Sequence, residues 1–342
     1  MKKPEIVAEV WRGDFLECVH RGHIAVCNAK GDLLASWGDP EMVILPRSSC
    51  KMLQALPLVE SGAAARFGLT TEHLALSCAS HNGAHIHTDR VRAWLNGLDL
   101  NEADLRCGGH MPEDDEALKE LICGDHCFDQ THNNCSGKHS GFLTLNKHLG
   151  GGSEYVDIDH PVQKAAKAAI EEMAGETTQG YAIDGCSAPN FVLTLQGFAR
   201  ALARMADPSG LGRVREEAAT SLVAAMRKHP ELVAGETRAC TDLMRAMDGK
   251  VAVKTGAEGV FAAIIPEQGI GIALKIEDGA SRASECAMAA LLVRFGVADA
   301  AHPTIKKHLI HAQRNCNDLL VGSVRPAAAL YQALSPNPFT DA

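Results

Sequence analysis

The chain has 342 residues, of which 46% are hydrophobic and 22% charged. That balance excludes a disordered or low-complexity protein. Lys and Arg total 33 against 42 Asp and Glu, a net charge of −9, so nothing draws the chain toward phosphate backbones or anionic lipid. Neither nucleic acid nor a membrane is expected as a partner. No apolar stretch approaches the ~20 residues of a spanning helix. The opening residues lack the apolar core of a signal peptide, and a cytoplasmic location is expected. The twelve cysteines are therefore expected to be reduced. Most have apolar neighbours and read as small buried hydrophobes. Cys123 and Cys127 are four apart, but no second pair follows, and they read as structural.

The first predicted strand is Ile6-Val7-Ala8-Glu9-Val10-Trp11. Two more, over 24–27 and 33–37, flank Asn28-Ala29-Lys30-Gly31-Asp32, whose Gly and Asp favour a hairpin turn. Residues 48–247 are mostly helical. The stretches 164–172 and 214–228 are rich in helix formers, and Pro230 follows the second. Strands return over 251–254, 259–265 and 270–276, with a turn at Pro266-Glu267-Gln268-Gly269. A helix over 281–295 and a strand over 319–324 complete the order. Strands, then helices, then strands predict an α+β fold. Residues 1–47 plus 248–342 would build an antiparallel sheet lobe. Residues 48–247 would form an inserted helical lobe, with a cleft between the two.

Three short motifs carry chemistry. Ser48-Ser49-Cys50-Lys51 opens a helix, and a spacing of three puts Ser48 and Lys51 on one face. A serine at a helix start is ordinarily a cap. It becomes a nucleophile only where a base takes its proton, and a lysine kept neutral can be that base. Ser80-His81-Asn82-Gly83 reads alone as a polar turn. Lys254-Thr255-Gly256 ends a predicted strand, where a lysine would ordinarily leave the sheet for solvent. In this order and context, Ser-x-x-Lys, Ser-x-Asn and Lys-Thr-Gly form the signature of penicillin-recognising serine hydrolases.

Further segments sharpen the match: Pro46-Arg47 before Ser48, Asn133-Asn134-Cys135-Ser136-Gly137-Lys138-His139, and Asp184-Gly185-Cys186-Ser187-Ala188-Pro189. With these the whole chain resembles the rhizobial-type (class 3) L-asparaginases, which have a serine β-lactamase-like fold. The resemblance implies hydrolysis of L-asparagine to L-aspartate and ammonia by a homodimer. It also implies one zinc ion per subunit on Cys135, Lys138 and Cys186. Spacing alone makes Cys135 and Cys186 buried thiols and Lys138 a surface lysine. Cys240 is a further candidate for the metal shell or a buried helix cysteine. His81, His85 and His87 read as loop or surface histidines.

The expected chemistry is acyl transfer. Ser48 attacks, neutral Lys51 takes its proton, and Ser80 relays a proton to ammonia. A charged Lys254 depresses the pKa of Lys51. Arg47 or His139 would hold the substrate carboxylate and Asp184 its ammonium; Arg47 can equally belong to a structural ion pair. His81 stands where β-lactamases have Asp, and no counterpart of their deacylating glutamate is evident, which argues against antibiotic hydrolysis. A glutaminase or penicillin-recognising hydrolase, and a non-catalytic zinc or redox sensor, are the alternatives.

Overall fold

Strands from the two ends of the chain meet in one sheet. The structure is a computed structural model that describes residues 2–124 and 127–331. In chain order the strands are β1 (Glu5–Arg12), β2 (Phe15–Asn28), β3 (Leu33–Trp37), β4 (Val43–Ile44), β5 (Tyr181–Ile183), β6 (Pro189–Phe191), β7 (Leu193–Thr194), β8 (Ala252–Thr255), β9 (Val260–Ile265), β10 (Ile270–Ile276), β11 (His311–Arg314) and β12 (Leu320–Pro326). The main sheet runs β11-β12-β1-β2-β10-β9-β8, with β3 also paired to β2. Every pairing is antiparallel. With helices between β3 and β8, this is the α+β class expected.

Both faces of the sheet are covered, which explains its apolar runs. All six residues of β9 are buried, whichever way they point. A half-exposed strand would instead alternate. The helix Leu195–Ala206 lies against β2, β9 and β10, and Ser281–Arg294 packs on β1, β9, β10 and β12. Gly271 lets the first of these approach closely. A Cβ there would sit 2.2 Å from the Ala203 nitrogen and 2.3 Å from the Ala199 carbonyl oxygen.

Three elements differ from the sequence reading. β2 begins at Phe15 rather than Ile24, because its first residues are exposed and without apolar alternation. Register with β1, Trp11 to Leu16 and Arg12 to Phe15, places them in the sheet. β11 is likewise a mostly exposed edge strand held by β12. The helix after Ser48 is broken: a 3₁₀ turn, Arg47–Cys50, leads into Lys51–Gln54, and a new helix starts at Leu56–Glu60. Pro57 has no N–H to continue the first helix and suits the first turn of the second.

Candidate active site

The turn Arg47–Cys50 rests on β8 and β9, at one edge of the sheet. Gly256, just past β8, makes that approach possible. A Cβ on it would lie 2.8 Å from the Pro46 carbonyl oxygen and 3.2 Å from the Ser49 nitrogen. The glycine of Lys-Thr-Gly is therefore a spacing device between strand and turn. Arg47 has φ +52°, a left-handed conformation that costs a side-chain-bearing residue about 1–2 kcal/mol. Its backbone N–H donates to Asn190 Oδ1 at 3.2 Å. Its Nε and Nη2 donate to Asp184 Oδ1 at 3.1 and 2.8 Å. These contacts hold the strained residue directly before Ser48.

Three of the four expected catalytic side chains are joined. Lys51 is 1% exposed and Lys254 0%. Lys51 Nζ donates to Ser80 Oγ at 2.9 Å and to Cys135 Sγ at 3.0 Å, and it also reaches the Ala79 carbonyl. Lys254 Nζ donates to the same Ser80 oxygen at 2.8 Å and to the Thr255 carbonyl at 2.7 Å. Ser80 thus bridges two buried amines. Ser48 is half-buried, and its hydroxyl has no hydrogen-bond partner among the described residues. Lys51 turns to Ser80 and not to Ser48.

Charge in this cluster is distributed differently from the sequence reading. Burial above all, with Lys51 and Arg238 adding like-charge repulsion, brings Lys254 down to about 7. Lys254 is therefore not a lasting positive charge at neutral pH.

A second cluster lies alongside. Lys138 is buried, not at the surface, and its Nζ donates to Cys186 Sγ at 3.0 Å. Cys186 is held well below the usual thiol range, first by the neighbouring Cys135 thiol and then, against the penalty of burial, by the charges of Lys138 and Lys51. Cys135 is pushed up to about 12 by Cys186 and by burial. Burial would lower Lys138, but the Cys186 and Cys135 sulfurs outweigh it and raise it. The result is a thiolate–ammonium pair beside a thiol, Cys135, whose Sγ donates to Asn134 Oδ1 at 3.0 Å.

No group of three or more His, Cys, Asp or Glu converges on one point among the described residues. The three residues of the zinc expectation nevertheless come together, and two sulfurs with one amine nitrogen are a donor set zinc accepts. Cys240 is joined instead to Thr255, whose N–H donates to its sulfur at 3.2 Å.

The binding candidates separate. Arg47 and Asp184 pair with each other, so neither charge is free; their side chains are 25% and 14% exposed. His139 is buried, and its Nδ1 meets the Tyr155 hydroxyl at 2.9 Å. That hydroxyl also accepts from the Arg106 N–H at 2.8 Å. The Nε2 of the ring is buried without a hydrogen-bond partner among the described residues. Burial and the neighbouring Lys138 charge keep the ring neutral.

Several participants were not legible in the sequence. His81 lies in a loop, as expected, but it and His87 of the following helix are buried and stacked, with ring centroids 4.6 Å apart, and not at the surface; His85 is exposed beside Glu120. His81 Nε2 meets Ser136 Oγ at 2.9 Å, and its N–H donates to the Asn134 carbonyl. This ties the loop of Ser80 to the turn of Cys135. Asn190 and Tyr155, which position Arg47 and His139, belong to no motif that spacing could single out.

Ser80 between two buried amines is the centre of the candidate site. Residues 8–326 match the L-asparaginase II family, and the chain belongs to that family of amidohydrolases. It is the family its motifs resemble. No curated protein matches the chain. Among solved structures it is similar to Mglu, at 14% identity over 81% of this chain and 67% of that one, TM-score 0.45. It is also similar to a β-lactamase from Mycobacterium bovis, at 13% identity over 80% and 94%, TM-score 0.42. A third is the octameric penicillin-binding protein homologue from Pyrococcus abyssi, at 13% identity over 82% and 75%, TM-score 0.39.

Proposed function

We propose that the protein hydrolyses L-asparagine to L-aspartate and ammonia through an acyl-enzyme on Ser48. The observation that carries this reading is the hydrogen-bonded run Lys51–Ser80–Lys254 beside a serine with an unengaged hydroxyl. Lys254, titrating near 7, is the sink for the proton that nucleophilic attack releases. As Ser48 Oγ bonds to the side-chain amide carbon, its proton passes to Lys51. Lys51 passes one to Ser80, and Ser80 one to Lys254. The reverse flow protonates the departing ammonia, and water repeats the sequence to release aspartate. His139 Nε2 has no partner among the described residues, and in the tautomer that protonates it, it is a donor suited to a substrate carboxylate. Arg47 and Asp184 act on substrate binding as a pair, by holding the turn that carries Ser48.

Cys135, Lys138 and Cys186 would hold zinc. Bound there, the metal supplies a fixed positive charge beside the cleft, and Lys138 must give up its proton to ligate it. Metal analysis of protein purified without chelator tests this. A homodimer and a cytoplasmic location complete the proposal, and light scattering on purified protein tests the dimer. The deciding assay is ammonia release from asparagine, glutamine and a β-lactam by wild-type protein and Ser48→Ala. Asparagine turnover lost in the variant is the expected result. No turnover of any of the three in wild type removes the reading and leaves the thiol cluster as a sensor.

A further inference from the structure

At the sheet edge opposite the candidate active site lies a basic cavity in an acidic protein. We propose that it binds a phosphate group, as inorganic phosphate or on a small phosphorylated metabolite. The cavity measures about 440 Å³, and its lining includes Arg12, Arg282, Arg314, His311 and Gln313. β11 and β8 are the two ends of the seven-strand path. Six strand spacings separate them, about 30 Å along the sheet. The site therefore shares no residue with the lysine cluster and does not rest on the asparaginase reading.

Register builds the cavity floor. Arg12 of β1 and Gln313 of β11 are both paired with Gly322 of the intervening β12. Directly paired residues point to one face. Gly322 lets the three strands pack closely in this row, since a Cβ there would lie 2.2 Å from the Trp11 carbonyl oxygen and 3.0 Å from Gln313 Oε1. His311, two residues from Gln313, shares that face.

Arg282, from the helix Ser281–Arg294 that packs on β1 and β12, supplies the third wall. Its Nε donates to His20 Nε2 at 3.0 Å, and His20 Nδ1 meets Asp278 Oδ2 at 2.6 Å. With its Nε2 accepting, His20 donates from Nδ1 to the carboxylate. The guanidinium is thus aimed by an Asp–His chain. Among the described residues no carboxylate oxygen lies within 4.0 Å of it. Arg12 has Glu17 at 3.2 Å and Arg314 has Asp318 at 3.6 Å. Both are exposed pairs of the kind worth ~0–1 kcal/mol, and an anion in the cavity competes with them readily.

Three guanidiniums around one cavity match the planar, bidentate recognition of phosphate oxygens. A single tetrahedral dianion can face all three guanidiniums at once, whereas a dicarboxylate such as succinate splits its charge over two planar groups.

The test is isothermal titration at pH 7.5 and low salt, with inorganic phosphate, glycerol 3-phosphate and succinate as probes. Saturable millimolar phosphate binding is expected, weakened about tenfold or more in Arg282→Gln, the loss expected for one charged hydrogen-bond donor. Arg314→Gln, at an exposed position, should weaken it too, and it carries the test if Arg282→Gln does not fold. Tighter binding of glycerol 3-phosphate assigns the site to a metabolite, and equal or weaker binding assigns it to free phosphate. The proposal is overturned by no saturable phosphate binding, by unchanged affinity in both variants, or by succinate binding as tightly as phosphate.

Discussion

Replacing Lys254 by methionine separates stability from activity. The amine is fully buried, and burial brings it from 10.5 to about 7. At about 1.4 kcal/mol per pKa unit, that fall disfavours the folded ammonium by about 5 kcal/mol. Between 7 and 10.5 the unfolded chain binds more protons at this position than the folded one. Stability therefore rises with pH across that window and carries the full penalty below 7. Methionine has a similar shape and no charge. It removes the penalty, while the Thr255 carbonyl loses a donor and Ser80 keeps the one from Lys51, a loss of up to about 3 kcal/mol. The net expectation at pH 7 is a gain of about 2 kcal/mol, seen as a Tm higher by several degrees. Activity should move the other way. If the neutral amine is the proton sink, wild-type kcat/KM on asparagine rises about tenfold per pH unit below 7 and levels above it. In Lys254→Met it should be ~10²–10⁴ lower and without that inflection. Paired pH-rate profiles and thermal melts measure both. A Lys254→Met enzyme that is fully active, or that keeps the inflection near 7, refutes the proton-sink reasoning.

Other outcomes follow from the same geometry. Ser48→Ala should lose turnover with a Tm within about a degree of wild type, because the hydroxyl has no partner to lose; activity retained in folded variant would remove the nucleophile. Lys51→Met should be as inactive as Ser48→Ala, and a single-turnover experiment that still traps an acyl-enzyme would assign the proton route elsewhere. Gly256→Val should fold yet lose most activity, since its Cβ would press on the Pro46 carbonyl at 2.8 Å and shift the Ser48 turn; an unchanged kcat/KM would show that the turn tolerates displacement. If Cys135, Lys138 and Cys186 hold zinc, chelation should raise KM more than it lowers kcat, and Cys186→Ala should mimic it. A chelated enzyme with normal KM and no kcat would place the metal in bond cleavage itself.

Local pattern determined much of this protein. Apolar runs marked β9 and β10, the Asn28–Asp32 turn marked the β2–β3 hairpin, and helix formers marked 164–172 and 214–228. These signals are short-range: side-chain period and turn chemistry act within a few residues. The order of Ser48, Lys51, Ser80 and Lys254 also pointed to the family before any coordinates, because each motif is a local spacing. Tertiary structure decided the rest. The exposed first half of β2 and the edge strand β11 exist through register with a neighbour, which no local pattern records. Lys138, His81 and His87 are buried because helices distant in sequence cover them. The same burial, not residue type, takes Lys254 to about 7, and neighbours brought in by the fold, Cys135, Lys138 and Lys51, hold Cys186 low against that burial. A pKa is set by the solvent removed and the charges brought near, and both are properties of the fold. Arg47 and Asp184 show the limit most directly. Each offers a charge to a substrate when read alone, but 137 residues apart in sequence they meet at 2.8 Å and spend those charges on each other.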